Sequence, residues 1–199
     1  MTDEPLPKVG WGAIVGAGAQ AIRNRGIEGV TLEDLAAELD VELSAVTYWF
    51  ADAGQVLIAV MDIRMNWFLD EARSRMAPLG TQAERLREFL ELSAADHDAL
   101  YWIEIWRLSL RDNDARRARE AITDTYRRTI AGIIRAGQRS GEFGAASPDK
   151  VALILTALIN GYSVSATLGD SEVTPEMMLD SLICVAERML SVELEPRTP

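Results

Sequence analysis

AIVGAGAQAIRNRGIEGVTLEDLAAELDVELSAVTYWFADAGQVL, residues 13–57, decides the fold of this chain. It reads as three short helices in close succession. The first, over residues 8–25, carries Trp11, Ile14, Val15 and Ile22 on one side, and Gly26 stops it. It is rich in glycine (Gly10, Gly12, Gly16, Gly18), and each interior glycine costs a helix about 1 kcal/mol relative to alanine. A face of small residues lets another helix approach closely. The spacing is wrong for a dinucleotide loop, and no strand precedes it. Thr31 is a good N-cap for the second helix, Asp34 stands at the capping-box position, and Leu32, Leu35 and Ala36 face inward up to Leu39. The third helix is expected from Ser44 to Phe50.

The helical pattern continues outward. A fourth helix is predicted from Gly54 to Met76, with Leu57, Val60, Met61, Met65, Phe68 and Leu69 as its apolar positions. Thr81 caps a fifth helix, to about Ala95. Asp98 opens a sixth that carries Tyr101, Trp102, Ile105, Trp106 and Leu108. Asp112-Asn113-Asp114 breaks the pattern before a seventh helix from Ala115 to Ser140. Ser147-Pro148-Asp149 and Thr174-Pro175-Glu176 each combine an N-cap, a proline at the first helical position and an acid, so they start helices eight (148–167) and nine (174–192). Alternating apolar/polar runs are scarce. The fold class is all-α.

The chain has 199 residues, is 48% hydrophobic and carries a formal charge of −11. This length suits one folded unit or two small ones. The first seven residues and the tail from Glu193 are polar and contain proline, so they are expected to fray. No apolar run is read as long enough to span a bilayer, and MTDEPLPK lacks the basic and apolar regions of a signal peptide, so a cytoplasmic chain with no membrane partner is expected. Cys184, the one cysteine, is expected to be a buried, inert thiol. One cysteine and one histidine make no zinc site, and no cofactor or metal is expected. His97, between Asp96 and Asp98, reads as a solvated helix start. No nucleophile elbow occurs, so no catalytic residue is assigned.

Two blocks resemble a known family. The first is Ala13-Ile14-Val15, Ala17, Arg25-Gly26, Val30-Thr31-Leu32-Glu33-Asp34-Leu35-Ala36, Val41 and Phe50. The second is Gly141-Glu142-Phe143 followed by Pro148 and Leu158-Ile159-Asn160-Gly161. With nine helices in this order, the chain resembles the TetR family of bacterial transcription regulators. The resemblance implies a three-helix DNA-binding domain over residues 8–53, with its helix-turn-helix at about 31–50, and a ligand-binding and dimerisation domain over 54–192. It also implies a homodimer through helices 148–167 and 174–192, which form a four-helix bundle across a two-fold axis. Thr31, Ser44, Thr47, Tyr48 and Trp49 fall at DNA-facing positions.

The departures from the family pattern are chemical. The usual Gly-Val-Ser turn reads Asp40-Val41-Glu42. Ser44 and Ala45 replace glycine and threonine, the frequent tyrosine falls on Thr47, and Trp49 replaces a histidine. The lysine that opens helix four falls on Ala53. Through Val60 there are three basic residues (Lys8, Arg23, Arg25) against nine acids, a balance of −6. Protein–DNA affinity comes largely from neutralising phosphates, and base readout from Arg, Lys, Asn or Gln. Helix three holds none of these four. Trp49 has three readings: contact with a thymine methyl, contact with a partner protein, or packing on helix one.

Trp67, Phe89, Tyr101, Trp102, Trp106, Tyr126 and Asn160 lie where the family holds its ligand, which points to a small apolar or aromatic effector. Phe68 belongs to the same concentration of rings, and Asn66, His97 and Arg107 are further polar anchors. The alternative reading of these positions is ordinary helix-bundle core. Arg116, Arg117, Arg119, Arg127 and Arg128 read as a solvated face pairing with Glu120 and Asp124. The expected function is a dimeric regulator whose DNA binding is modulated by such an effector. The alternative is a family member that has lost autonomous DNA binding and acts through protein partners as an antirepressor or co-regulator.

Overall fold

Helix caps written in the sequence set the element boundaries. In the computed structural model, which describes residues 9–96 and 99–195, the chain forms nine α-helices. These are α1 (Trp11–Arg25), α2 (Leu32–Glu38), α3 (Leu43–Thr47), α4 (Ala53–Met76), α5 (Gln82–Ala95), α6 (Leu100–Ser109), α7 (Asn113–Ser140), α8 (Pro148–Thr167) and α9 (Pro175–Leu190), with a single 3-10 turn at Ile27–Gly29. The architecture is the all-α, nine-helix arrangement expected, with helix-turn-helix elements at the N-terminus and a helical bundle after them. Thr31 and Asp34 form a complete capping box at α2, and Thr81 and Glu84 another at α5. Ser147 and Thr174 cap α8 and α9, each with proline in the first turn. The expectations for the first seven residues, for His97 and for Asp98 lie outside the described residues.

The chain divides into two compact units. The first gathers residues 1–65 and 100–120, so it holds α1–α3, the first half of α4, α6 and the start of α7. Its core is built from Ile14, Val15 and Ile22 of α1, Leu35 of α2, Val46 of α3, Val56 and Leu57 of α4 and Ile105 of α6. The glycine-rich α1 has one close approach. A Cβ on Gly18 would lie 2.2 Å from Val56 Cγ1, whereas Gly12 and Gly16 have nothing within 4 Å. Gly18→Ala is therefore expected to cost about 1–3 kcal/mol, because Val56 is β-branched and stiff. Gly16→Ala, at an exposed helical site, is expected to gain about 0.5–1 kcal/mol. Paired thermal melts of the two variants should move in opposite directions.

The second unit holds residues 66–99 and 121–199, in which α5 packs on α8 and α9, and α8 on α9. Leu86, Phe89, Leu90, Ile130, Ile134, Leu155, Met178, Leu182 and Leu190 form its interior. The Gly141-Glu142-Phe143 block acts here as a clamp. Phe143 is buried over Gly137, where a Cβ would lie 2.3 Å from its ring. Glu142 Oε2 accepts the backbone N–H groups of Gln82 (2.7 Å) and Ala83 (3.0 Å), the first turn of α5. Partial burial pushes the Glu142 carboxyl up, but hydrogen bonds from Ser140, Ala83 and Gln82 outweigh it and hold the carboxyl below its ordinary value. Its contribution is complete above the ordinary carboxylate range and is lost as pH falls through the depressed folded value. Glu142→Gln should cost about 1 kcal/mol at neutral pH and less in acid, a convergence that denaturant titrations at two pH values would detect.

Three expectations are corrected. Fraying does not begin at Glu193: Leu194 is buried, its N–H is bonded to Glu187 Oε1 at 2.8 Å, and its carbonyl accepts from Arg87, while residues 196–199 lie outside the described residues. Cys184 is exposed, on the side of α9 away from Met178, Leu182, Ala186 and Leu190. α8, at 20 residues and a mean hydropathy of 1.2, is long and apolar enough to cross a membrane by length and composition alone. Its inner face packs Val151, Leu155 and Ile159, while Leu153 remains 47% exposed.

Candidate functional site

The helix-turn-helix positions are presented by short elements of the first unit. α3 is shorter than expected, ending at Thr47, and the chain continues through turns at Tyr48 and Trp49. Thr31, Ser44, Thr47, Tyr48 and Trp49 are all exposed. Val46 and Phe50 are buried beneath them and fix the frame. Thr31 is committed to its capping box, and the Thr47 hydroxyl donates to the Ser44 carbonyl at 3.4 Å. Trp49 takes the packing reading in part. Its indole Nε1 donates to the Val9 carbonyl at 3.2 Å, yet the residue stays 38% exposed. Asp40, at the turn where the family has glycine, has φ +52°, a left-handed conformation that aspartate tolerates better than most residues.

The electrostatics of this face are acidic. Glu33, Glu38, Asp40, Glu42 and Asp52 are exposed. The basic residues of the segment point to other work: Arg25 pairs with Asp34 at 3.6 Å, and Arg23 lies over the Tyr101 ring. Cations come instead from the end of α6 and the turn after it. Arg107 and Arg111 line a cleft of about 310 Å³ together with Asp52, Ala53 and Gly54, the start of α4. Arg107 is bound to Glu28 and Glu104, whereas Arg111 is exposed. The cations that share a cleft with Ala53, the place of the family lysine, thus come from a segment far away in sequence.

One face of α6 holds the end of α1. The Tyr101 hydroxyl donates to the Ala19 carbonyl at 3.0 Å, and Arg23 and Arg64 each lie 5.2 Å from its ring centre. Glu104 Oε2 accepts the Ile27 N–H at 3.3 Å, and Arg107 joins Glu28. No signal in the sequence shows this clamp, because spacing does not say which helix α6 will meet. It accounts for Arg107, a candidate polar anchor, and for Tyr101, a candidate ring.

The candidate effector residues fall into two groups, one in each unit. In the first unit Trp102 and Trp106 stand one helical turn apart, half-buried, with ring centres 6.1 Å apart. In the second, Phe89 and Tyr126 join Phe68 in a triangle of rings with centres 5.1–5.5 Å apart. The Ser93 hydroxyl donates to the Phe89 carbonyl, and the Tyr126 hydroxyl donates to Ser93 Oγ at 2.5 Å. Burial pushes the Tyr126 phenol up, against the opposing effect of Ser93, so it stays neutral. Trp67 is 61% exposed on α4, and Asn160 is half-buried on α8. On α7, Arg117, Arg119 and Arg128 pair with Asp114, Glu120 and Asp124, but Arg116 donates to the Ser109 carbonyl and Arg127 has a buried Nε, so the five arginines do not form one solvated face.

Comparison with known proteins defines the class. The sequence profile of the BetI-type transcriptional repressor C-terminal domain matches residues 82–191. The chain belongs to the TetR family of transcriptional regulators, with a C-terminal domain of that BetI type over residues 82–191. Similar solved structures include a transcriptional regulator from Saccharomonospora viridis in complex with choline (24% identity, 89% of this chain and 95% of that one, TM-score 0.78). A TetR-family regulator from Rhodococcus sp. is 26% identical over 87% of this chain and 96% of its own, with a TM-score of 0.70. A TetR regulator from Haloarcula marismortui is 19% identical over 90% and 97%, with a TM-score of 0.80. No curated protein matches the chain.

Proposed function

We propose that the chain is a cytoplasmic homodimeric regulator whose operator affinity is set by a small apolar or aromatic effector. The observation that carries this reading is the α6 clamp. Tyr101, Glu104 and Arg107 tie α6 to the end of α1, and both α4 and α7 run from the first unit into the second. An effector that moves these helices changes the placement of α3 in each protomer. Two half-sites then can no longer be met together, and affinity falls. The partly uncovered apolar residues of α8, with α9 beside it, form the proposed dimer interface.

DNA contact on this reading uses Ser44 and Tyr48 as neutral donors, with Thr31 and Thr47 contributing as polar groups once their local bonds give way, and Arg111 in the role of the family lysine. Aromatic rings accept both apolar molecules and quaternary ammonium groups. Choline, held by the Saccharomonospora regulator, is therefore one effector to test against the Trp102–Trp106 pair, beside aromatic and aliphatic acids. The test is a selection from random duplexes with the dimer at low salt, repeated at higher salt. An enriched palindrome that weakens with salt, and less steeply in Arg111→Gln by about one unit of slope, is the expected result. No enrichment from a sample shown to be dimeric would remove direct operator reading.

A further inference from the structure

The face that carries α3 has exposed apolar side-chain surface that operator contact does not use. Trp11, Leu43, Tyr48 and Trp49 are 38%, 37%, 54% and 38% exposed. They account for four of the nine large apolar side chains that stand out from the described surface. Three of them sit in two ring pairs: Trp11 stacks on the buried Phe50 at 6.3 Å and Tyr48 meets Trp49 edge-on at 5.1 Å, while the Trp49 indole donates to the Val9 carbonyl. The rings are held in place before any partner arrives, so little side-chain freedom is lost on contact, as in the aromatic anchors of protein interfaces. The exposed carboxylates of Asp40, Glu42 and Asp52 belong to the turn before α3 and the segment after it. Among the described residues no cation pairs with these three.

We infer that this face docks a Lys/Arg-bearing amphipathic helix of a protein partner. The carboxylates repel a phosphate backbone and attract a basic surface. The rings offer a polyphosphate little, whereas they bury the apolar stripe of a helix. α3 and the two-residue turn after it run about 10 Å, which two turns of a partner helix match with apolar residues at i, i+3, i+4 and i+7. An exposed apolar cluster with a polar rim is the ordinary form of such an interface, and Arg111, in the cleft beside Asp52, lies beyond the turn that holds Asp40 and Glu42. The inference does not depend on operator reading. A partner on this face would exclude DNA from it.

The test uses the full-length chain and a designed peptide of about 18 residues, with leucines on one helical face and lysine and arginine on the other. A scrambled peptide of the same composition and an acidic counterpart are the controls. Calorimetry at 150 mM salt should show one basic amphipathic peptide bound per chain and neither control bound. Tyr48→Ser and Glu42→Lys should each weaken binding about tenfold or more, with unchanged melting temperature, since both side chains are exposed. Trp67→Ser, at the exposed ring of the other unit, should leave binding unchanged. Equal binding of the scrambled peptide would reduce the effect to net charge and overturn the inference, as would full binding by the Tyr48 and Glu42 variants. An enriched operator together with no peptide binding would sink this inference alone, and peptide binding without an operator would sink operator reading alone.

Discussion

Phe89→Ala is expected to lower the stability of the second unit by about 3–5 kcal/mol. Phe89 has no exposed surface, and its ring meets Phe68 at 5.5 Å and Tyr126 at 5.1 Å. Truncation removes a large buried side chain and leaves a cavity whose walls are rings and helix backbone, which close in poorly. Tyr126→Phe keeps the triangle and loses only the bond to Ser93, whose hydroxyl still donates to the Phe89 carbonyl, so about 1 kcal/mol is expected. For a chain of this size the first change corresponds to a fall in Tm of roughly 6–20 °C, and the second to a few degrees. Thermal melts without effector check both. The contrast also separates the two readings of these rings. A Phe89→Ala protein that melts like the parent but no longer responds to effector would make the triangle the wall of a binding cavity.

The second large effect is on DNA. Replacing Asp40, Glu42 and Ala53 by the residues usual in the family, glycine, serine and lysine, is expected to raise affinity for duplex DNA at least about tenfold at low salt. Two repulsive carboxylates disappear and one phosphate contact is added, so the plot of log affinity against log salt should steepen by about one unit. The changes suit the structure. Glycine relieves the left-handed backbone at residue 40, where φ is +52°. Glu42 stands at the N-cap of α3 without making a side-chain cap bond, and serine makes one more readily. The triple variant should therefore melt no lower than the parent. Unchanged affinity at low salt would mean that the acids are not what limits DNA binding.

Most of the fold was legible because its boundaries are written in local chemistry. Thr31 with Asp34, Thr81 with Glu84, Ser147-Pro148 and Thr174-Pro175 each act within one turn of chain, and each caps its helix in the structure. The end of α3 was harder to read. Periodicity runs to Phe50, whose N–H still bonds to Val46, but Trp49 also bonds back to Val46 in a tighter turn, while its indole reaches Val9. The exposure of Ser44, Thr47 and Tyr48 followed from the helix-turn-helix frame. The α6 clamp and the Glu142 cap were not legible, because their partners lie 59 to 82 residues away and no spacing rule reaches that far. The exposed side of Cys184 was hidden for a related reason: an apolar stretch does not reveal which of its faces is covered.

The cap that Glu142 places on α5 alters how that helix can open. The first N–H groups of a helix ordinarily exchange with solvent early, because they lack partners within the helix. Here the Gln82 and Ala83 amides are bonded to a carboxylate on the connection between α7 and α8. Their protons are released only when that connection lets go. In deuterium exchange the start of α5 should behave as part of the slow interior, and the start of α5 and the α7–α8 connection should report a single opening event rather than separate fraying.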